Sequence, residues 1–386
     1  MPKNNKENLL IAFDAQNLMQ PKTGIGYYTI GLIQALARSS PSSLRMVGHC
    51  FSLRSIEISG LDQEHNVRFV RTFIPVRIIN LLRRLGLEMP FELLVRERSD
   101  VLLFPNYLSF PSITRRPTIS IVYDLAFLDC PEYVSVKNRN DLVRFVPVSI
   151  KRSSIVITIS MSMRDRIIHY YPEATSKIIV VPVPAAHNKV IPSKLPINLT
   201  SRGLAPGRYI LHVGTIEPRK NIESLVEAYA CLPQNVRNSY ALVLAGGNGW
   251  KNESIVAAIK KQQAAGLNII QTGYVGDAVK SALYQHAACF VMPSHYEGFG
   301  MPIFEAFQRS IPVAASDIPV FREIAADAVS YFNKDNPRDI SRVLTGLLQD
   351  EALQKQLVAR GKERLGAYSW PENARIVTEA FERLLN

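Results

Sequence analysis

Cysteine is scarce: the four in 386 residues, Cys50, Cys130, Cys231 and Cys289, lie far apart. Their spacing gives neither a zinc-ligand pattern nor a dense disulfide framework, so neither is expected to hold the fold. No apolar run approaches the length of a membrane span. Residues 1–8 are polar and charged and offer no apolar segment for a signal peptide. A cytoplasmic location is the default expectation. The chain has no internal repeat and no low-complexity tract. It also lacks a zinc finger, a basic zipper and an aromatic RNP-like run, so nucleic acid is not the expected partner. An Asp-x-Asp pair of the metal-binding kind is missing too, and no metal is expected.

Negative charge is also in short supply. There are 45 Lys/Arg against 33 Asp/Glu, a formal net charge of +12. Residues 1–195 carry 25 basic against 15 acidic side chains, and residues 196–386 carry 20 against 18. The first half is therefore the part expected to meet an anionic partner, either a membrane surface or a pyrophosphate-bearing substrate. Seven arginines fall between Arg68 and Arg98, interleaved with Phe69, Phe73, Ile78, Ile79, Leu81, Leu82 and Leu85. Helical spacing puts Ile78, Leu81, Leu82 and Leu85 on one face beside Arg77, Arg83 and Arg84. Such a face either lies in a membrane interface or packs on its own domain.

The length fits two domains. Short apolar runs alternate with helical patterns throughout, the signature of parallel sheets with crossover helices. Strands are expected at 9–13, 46–51, 101–104, 118–122, 155–159 and 178–181, then at 209–213, 240–244, 269–272, 289–292 and 312–315. The fold class is α/β, with two Rossmann-like domains at 1–190 and 200–370. A proline-rich stretch near 185–205 is expected to link them.

The richest segment runs from Pro293 to Glu305, PSHYEGFGMPIFE. Glu297 and Glu305 bracket a glycine turn, Gly298 to Gly300, between a buried strand and a helix that Pro302 suits as an opening residue. Amides of that turn would sit at a helix N-terminus and could hold an electron-rich ligand. Each carboxylate can accept two hydrogen bonds from vicinal hydroxyls of a sugar or ribose. A second constellation follows the strand at 209–213: Gly214, then Glu217-Pro218-Arg219-Lys220-Asn221. Two adjacent cations just ahead of a helix suit a diphosphate, although a solvated basic pair is the plain alternative. In the first half, Thr23, Gly24 and Gly26 stand ahead of a helix running to about Arg38, where glycine either lets a ligand approach or makes a tight turn. Asp124 follows the strand at 118–122, at the carboxyl end where open α/β sheets place ligands; it can take a proton from an attacking hydroxyl or cap the next turn. Ser160 and Arg164 follow the strand at 155–159 by the same logic.

The Glu297/Glu305 spacing resembles the E-x7-E motif of the retaining glycosyltransferases of family four, and Glu217 to Asn221 resembles that family's E-P-x-K-N region. The resemblance implies the GT-B fold, two Rossmann-like domains facing across a cleft, with the last helix, 371–386, packing back on the first. It implies that Glu297 and the Gly298 to Gly300 amides hold the donor hexose, with Phe299 and Met301 in the same loop. Glu305 grips the ribose, and Arg219 and Lys220 bind the pyrophosphate. Gly24, Gly26, Gly214, Gly246, Gly247, Tyr274 and Val275 complete the nucleotide-sugar site, and Asp124, Glu297, Arg219 and Lys220 form the catalytic set. Tyr123 stands where many relatives have histidine, and Ser310 where they commonly have glycine. Residues 123–133 look most like bacterial mannosyltransferases of surface polysaccharide (O-antigen type) assembly. That likeness implies GDP-mannose as co-substrate, no resident cofactor, a saccharide or lipid-linked acceptor, and peripheral contact with the inner membrane. A sugar-nucleotide epimerase and a non-catalytic binding subunit remain as alternatives.

Overall fold

The computed structural model describes residues 9–385 apart from 20–23, 41, 54–57, 59, 96–97 and 185–193. Residues 1–8, Thr23, Arg96 and the first part of the expected linker lie outside the described residues. The chain divides into two compact units. The first comprises Met1–Leu125, Lys137–Val183 and Ser369–Asn386; the second comprises Ala126–Val136 and Pro184–Tyr368.

The first unit is built on seven strands: β1 (Leu9–Asp14), β2 (Leu44–Phe51), β3 (Val67–Thr72), β4 (Val101–Phe104), β5 (Thr118–Val122), β6 (Ile155–Thr158) and β7 (Ile178–Val180). Their order is β3-β2-β1-β4-β5-β6-β7, and every pairing is parallel. The central strands β4 and β5 are wholly buried. Parallel sheets need both faces covered, which is why these strands read as unbroken apolar runs rather than alternating ones. Helices α1 (Gly24–Ser39), α2 (Val76–Arg84) and α3 (Met161–Tyr170) belong to this unit.

The second unit repeats the plan with β8 (Tyr209–Val213), β9 (Ala241–Ala245), β10 (Ile269–Gly273), β11 (Cys289–Met292), β12 (Val313–Ser316) and β13 (Ser330–Phe332). The order is β10-β9-β8-β11-β12-β13, again all parallel. Helices α4 (Ile222–Ala230), α5 (Asp277–His286) and α6 (Met301–Gln308) bear on the site described below. In each sheet the order reverses beside the opening strand, between β1 and β4 and between β8 and β11. Ligands of open α/β sheets bind at such a reversal, outside the carboxyl ends of the strands.

Two excursions break the simple division. Residues 126–136, inside the expected first domain, group with the second unit. There Trp250 Nε1 donates to the Tyr133 carbonyl at 2.7 Å, Lys251 Nζ donates to that of Glu132 at 2.9 Å, and the Tyr133 ring stacks on His295 at 5.2 Å. The last helix, α7 (Trp370–Leu385), belongs to the first unit. Trp370 lies so close over Gly31 that a Cβ there would come within 2.1 Å of its ring, and Asn373 Nδ2 donates to the Pro182 carbonyl at 2.7 Å.

Two strands escape the sequence pattern. β3 is an edge strand, only half buried, and its arginines merge with the basic segment that follows. β13 has three residues, too few for a visible period. The apolar stripe of α2 is turned outward: Ile78, Leu81 and Leu85 are 49%, 57% and 65% exposed, whereas Ile79 and Arg83 are buried. Arg83 keeps company with the Phe110 ring at 4.7 Å. Among the described residues no helix is long and apolar enough to cross a membrane.

Candidate functional site

The loops that follow β8 and β11 flank the reversal of the second sheet. They bring together residues 77 and 78 positions apart in the chain. After β8, residues 218–220 form one turn of tight helix, and Asn221 takes a left-handed conformation (φ 54°) to start α4. Its side-chain amide donates to the carbonyls of Pro293 (3.0 Å) and Lys334 (2.8 Å), which ties the first loop to the second. The His295 amide donates to the Arg219 carbonyl at 2.9 Å. After β11, Gly300 (φ 122°) starts α6; a side chain there would strike Phe321 and Ile324 at 2.9 Å, so glycine is required.

At the centre is the carboxylate of Glu297, buried in this corner. Lys220 Nζ donates to its Oε1 at 2.5 Å, Ser294 Oγ donates to the same oxygen at 2.9 Å, and Arg219 Nη1 donates to Oε2 at 3.0 Å. Arg219 also donates through Nη1 to the Tyr296 carbonyl (3.1 Å) and through Nη2 to Glu217 Oε1 (3.1 Å). Burial alone would raise the Glu297 carboxyl. The Lys220 and Arg219 cations and the Lys220 and Ser294 hydrogen bonds outweigh it and hold the group at about 2. For buried Glu217, desolvation prevails over the same two cations and the carboxyl is raised.

His212 completes the floor. It is fully buried in β8; Nδ1 lies 3.1 Å from the Val291 carbonyl, and burial lowers the imidazole to about 4. Gly214 lies over this ring, and a Cβ there would come within 3.2 Å of His212 Nε2 and 3.6 Å of Lys220 Cε. Gly246 is equally constrained, since a Cβ would come within 1.8 Å of the Gly214 carbonyl oxygen. Ile216 N donates to Gly247 O at 2.9 Å and Gly246 N to Gly273 O at 3.0 Å, which laces the loops after β8, β9 and β10 together. These glycines serve loop-to-loop packing, and Tyr274 beside them is 71% exposed. Val275 is half-buried in the same loop.

Glu305 stands on α6, half-buried, and Lys280 Nζ from α5 donates to its Oε1 at 2.8 Å. The two glutamates of the motif thus have different lysine partners. Met301 and Pro302 lie in the first turn of α6. The Phe299 side chain is buried against Phe304 (5.3 Å) and Tyr368 (5.9 Å), so it serves the core.

The remaining candidates belong to the first unit. Asp124 is half-buried at the carboxyl end of β5. Tyr123 is a core residue: its hydroxyl donates to Pro105 O at 2.9 Å, its ring meets Tyr28 edge-on, and burial raises its phenol. Gly24 and Gly26 do not form a loop ahead of α1 but lie within its first turn, where a Cβ on Gly26 would sit 3.2 Å from the Asn17 carbonyl oxygen. Ser160 caps α3, accepting from Met163 N at 3.1 Å, and Arg164 reaches Asp165 at 3.3 Å. His212, Ser294 and Lys280 were not singled out from the sequence. Only His212 carried a signal, as the one polar side chain in the buried strand YILHV.

Residues 203–364 match the family model described as glycosyl transferases group 1. The chain is 29% identical over 377 residues to O-antigen chain mannosyltransferase B of Escherichia coli, covering 93% of this chain and 96% of that one. It is 28% identical over 275 residues to the serotype-specific mannosyltransferase WbdA of Escherichia coli, where 69% of this chain matches 34% of that longer protein. Among solved structures, HepE of Anabaena in complex with UDP and glucose superposes with a TM-score of 0.72 at 15% identity, over 97% of this chain and all of that one.

Proposed function

We propose that this glycosyltransferase, a chain of GT-B fold whose residues 203–364 match the glycosyl transferases group 1 model, transfers mannose from GDP-mannose with retention of configuration. The acceptor in this reading is a saccharide or lipid-linked saccharide of bacterial surface polysaccharide assembly, met at the cytoplasmic face of the inner membrane. Support for mannose comes from the relatives named O-antigen chain and serotype-specific mannosyltransferases. The observation that carries the reading is the cluster of Arg219, Lys220 and Glu297 at the sheet reversal.

Arg219 and Lys220 take the diphosphate and stabilise the charge that develops on it as the sugar departs. Glu297 accepts hydrogen bonds from hexose hydroxyls, the amides of Gly298 and Gly300 add donors, and Glu305 takes the ribose. The acceptor hydroxyl attacks the anomeric carbon on the face the diphosphate leaves. The departing diphosphate oxygen takes the hydroxyl proton, so no enzymatic nucleophile is needed. Asp124 orients the acceptor.

The test is donor-dependent thermal shift with a panel of nucleotide sugars on wild type and Glu305→Ala. A shift with GDP-mannose that is lost in the variant is expected. A shift with a different donor would replace the assigned sugar nucleotide, and none with any donor would remove the reading.

A further inference from the structure

The two cations assigned to the diphosphate are already committed. Lys220 Nζ and Arg219 Nη1 each donate to a different oxygen of Glu297, and Ser294 holds that carboxylate in place. Glu217 engages the other arm of Arg219. Two carboxylates thus face two cations, and the group is electrically balanced before any phosphate arrives. A diphosphate that draws Lys220 and Arg219 to itself must take them from Glu297. A buried carboxylate stripped of its cations and given nothing in return is costly.

We propose that Glu297 is the residue by which this site prefers the intact sugar nucleotide over the spent nucleoside diphosphate. The inference rests on the function proposed above. An intact donor brings hexose hydroxyls, which donate to the Glu297 oxygens as the cations turn to the phosphates. A nucleoside diphosphate brings phosphates without those hydroxyls, so it competes with Glu297 and compensates it with nothing. Once the hexose has been transferred, Glu297 recaptures Lys220 and Arg219, and the nucleotide loses its hold. The same carboxylate then recognises the sugar and hastens release of the product.

The test measures GDP and GDP-mannose binding calorimetrically on wild type, Glu297→Gln and Ser294→Ala, with UDP and UDP-glucose as a parallel pair. Glutamine keeps the shape and removes the charge that competes for the cations. GDP is expected to bind Glu297→Gln about tenfold more tightly than wild type, the scale of one charge-assisted hydrogen bond no longer opposed. The sugar nucleotide should lose its advantage in the same variant. Ser294→Ala, which only loosens the carboxylate, should move GDP in the same direction by about threefold, and it guards against a folding defect in the first variant. Unchanged or weaker GDP binding in both variants, with wild type still binding the sugar nucleotide, would overturn this inference and leave the proposed function standing. Failure of wild type to bind any of the four nucleotides would overturn both.

Discussion

Ser310 shows how a single residue can carry a family position in the wrong chemistry. It follows α6 with φ 56°, a left-handed conformation that a side chain disfavours by roughly 1–2 kcal/mol and that glycine adopts freely. The turn is left-handed although the residue is not glycine, so the serine bears the strain. Ser310→Gly is therefore expected to stabilise the protein by about 0.5–1 kcal/mol, since glycine's greater freedom in the unfolded chain offsets part of the gain. Urea unfolding checks it, and a loss of stability would mean that the hydroxyl has a role that its geometry does not reveal. Glu297 supplies a second test. Its folded-state carboxyl lies below the ordinary value of 4.5, so its contribution to stability is present above about 4.5 and is lost as pH falls toward about 2. The stability difference between wild type and Glu297→Gln should shrink over that window when followed by denaturant midpoints. At this scale Arg219, Lys220 and Glu297 were legible, because charge beside glycine at a strand end is rare in a buried run. Ser294 and Lys280 were not, because their partners depend on which loops the topology brings together.

Among the elements, strands buried on both faces were the easiest to read, and β4, β5 and β11 announce themselves as apolar runs. The half-buried edge strand β3 did not, since its alternation of Val and Arg belongs equally well to a basic surface segment. Helix α2 was legible as amphipathic, but which way its stripe faces was not. The exposed face formed by Ile78, Leu81 and Leu85, flanked by Arg77 and by Arg84, which pairs with Asp141, combines apolar area with positive charge. That pairing of properties fits an anionic lipid surface. Membrane affinity, read by co-sedimentation with vesicles containing phosphatidylglycerol, should fall by about thirtyfold or more in Ile78→Asp/Leu81→Asp, each buried side chain being worth roughly 1–2 kcal/mol in the interface. Neutral vesicles should bind the wild type much less. Equal binding of wild type and variant would leave this face without a lipid role.

The chain as a whole is not simply two units in tandem. The first sheet is complete by Val183, yet the helix that covers Gly31 and Tyr28 is made from the last residues of the chain. The amphipathic pattern of that helix was legible in its residues and its return to the first domain was expected from the resemblance; the Trp370 contact itself was not legible, because it joins residues more than three hundred positions apart. Gly31 explains the closeness: without a side chain, α1 accepts an indole directly on its backbone. Tyr28 then packs its ring 5.7 Å from Trp370 and donates its hydroxyl to the Val181 carbonyl at 2.8 Å, so one tyrosine couples α1, α7 and the end of β7. Ending the chain at Tyr368 would uncover this surface and leave the Pro182 carbonyl without Asn373. Hydrogen exchange followed by mass spectrometry should then show faster exchange in α1 and β1 of the first unit, while β8, β9 and β11 of the second keep their protection. Gly31→Val should reproduce the change with the helix still attached, because its branched side chain cannot share the space of the indole. If exchange rises equally in both sheets, the last helix supports the whole chain rather than one unit. If it rises in neither, the Trp370 contact contributes little to the folded state.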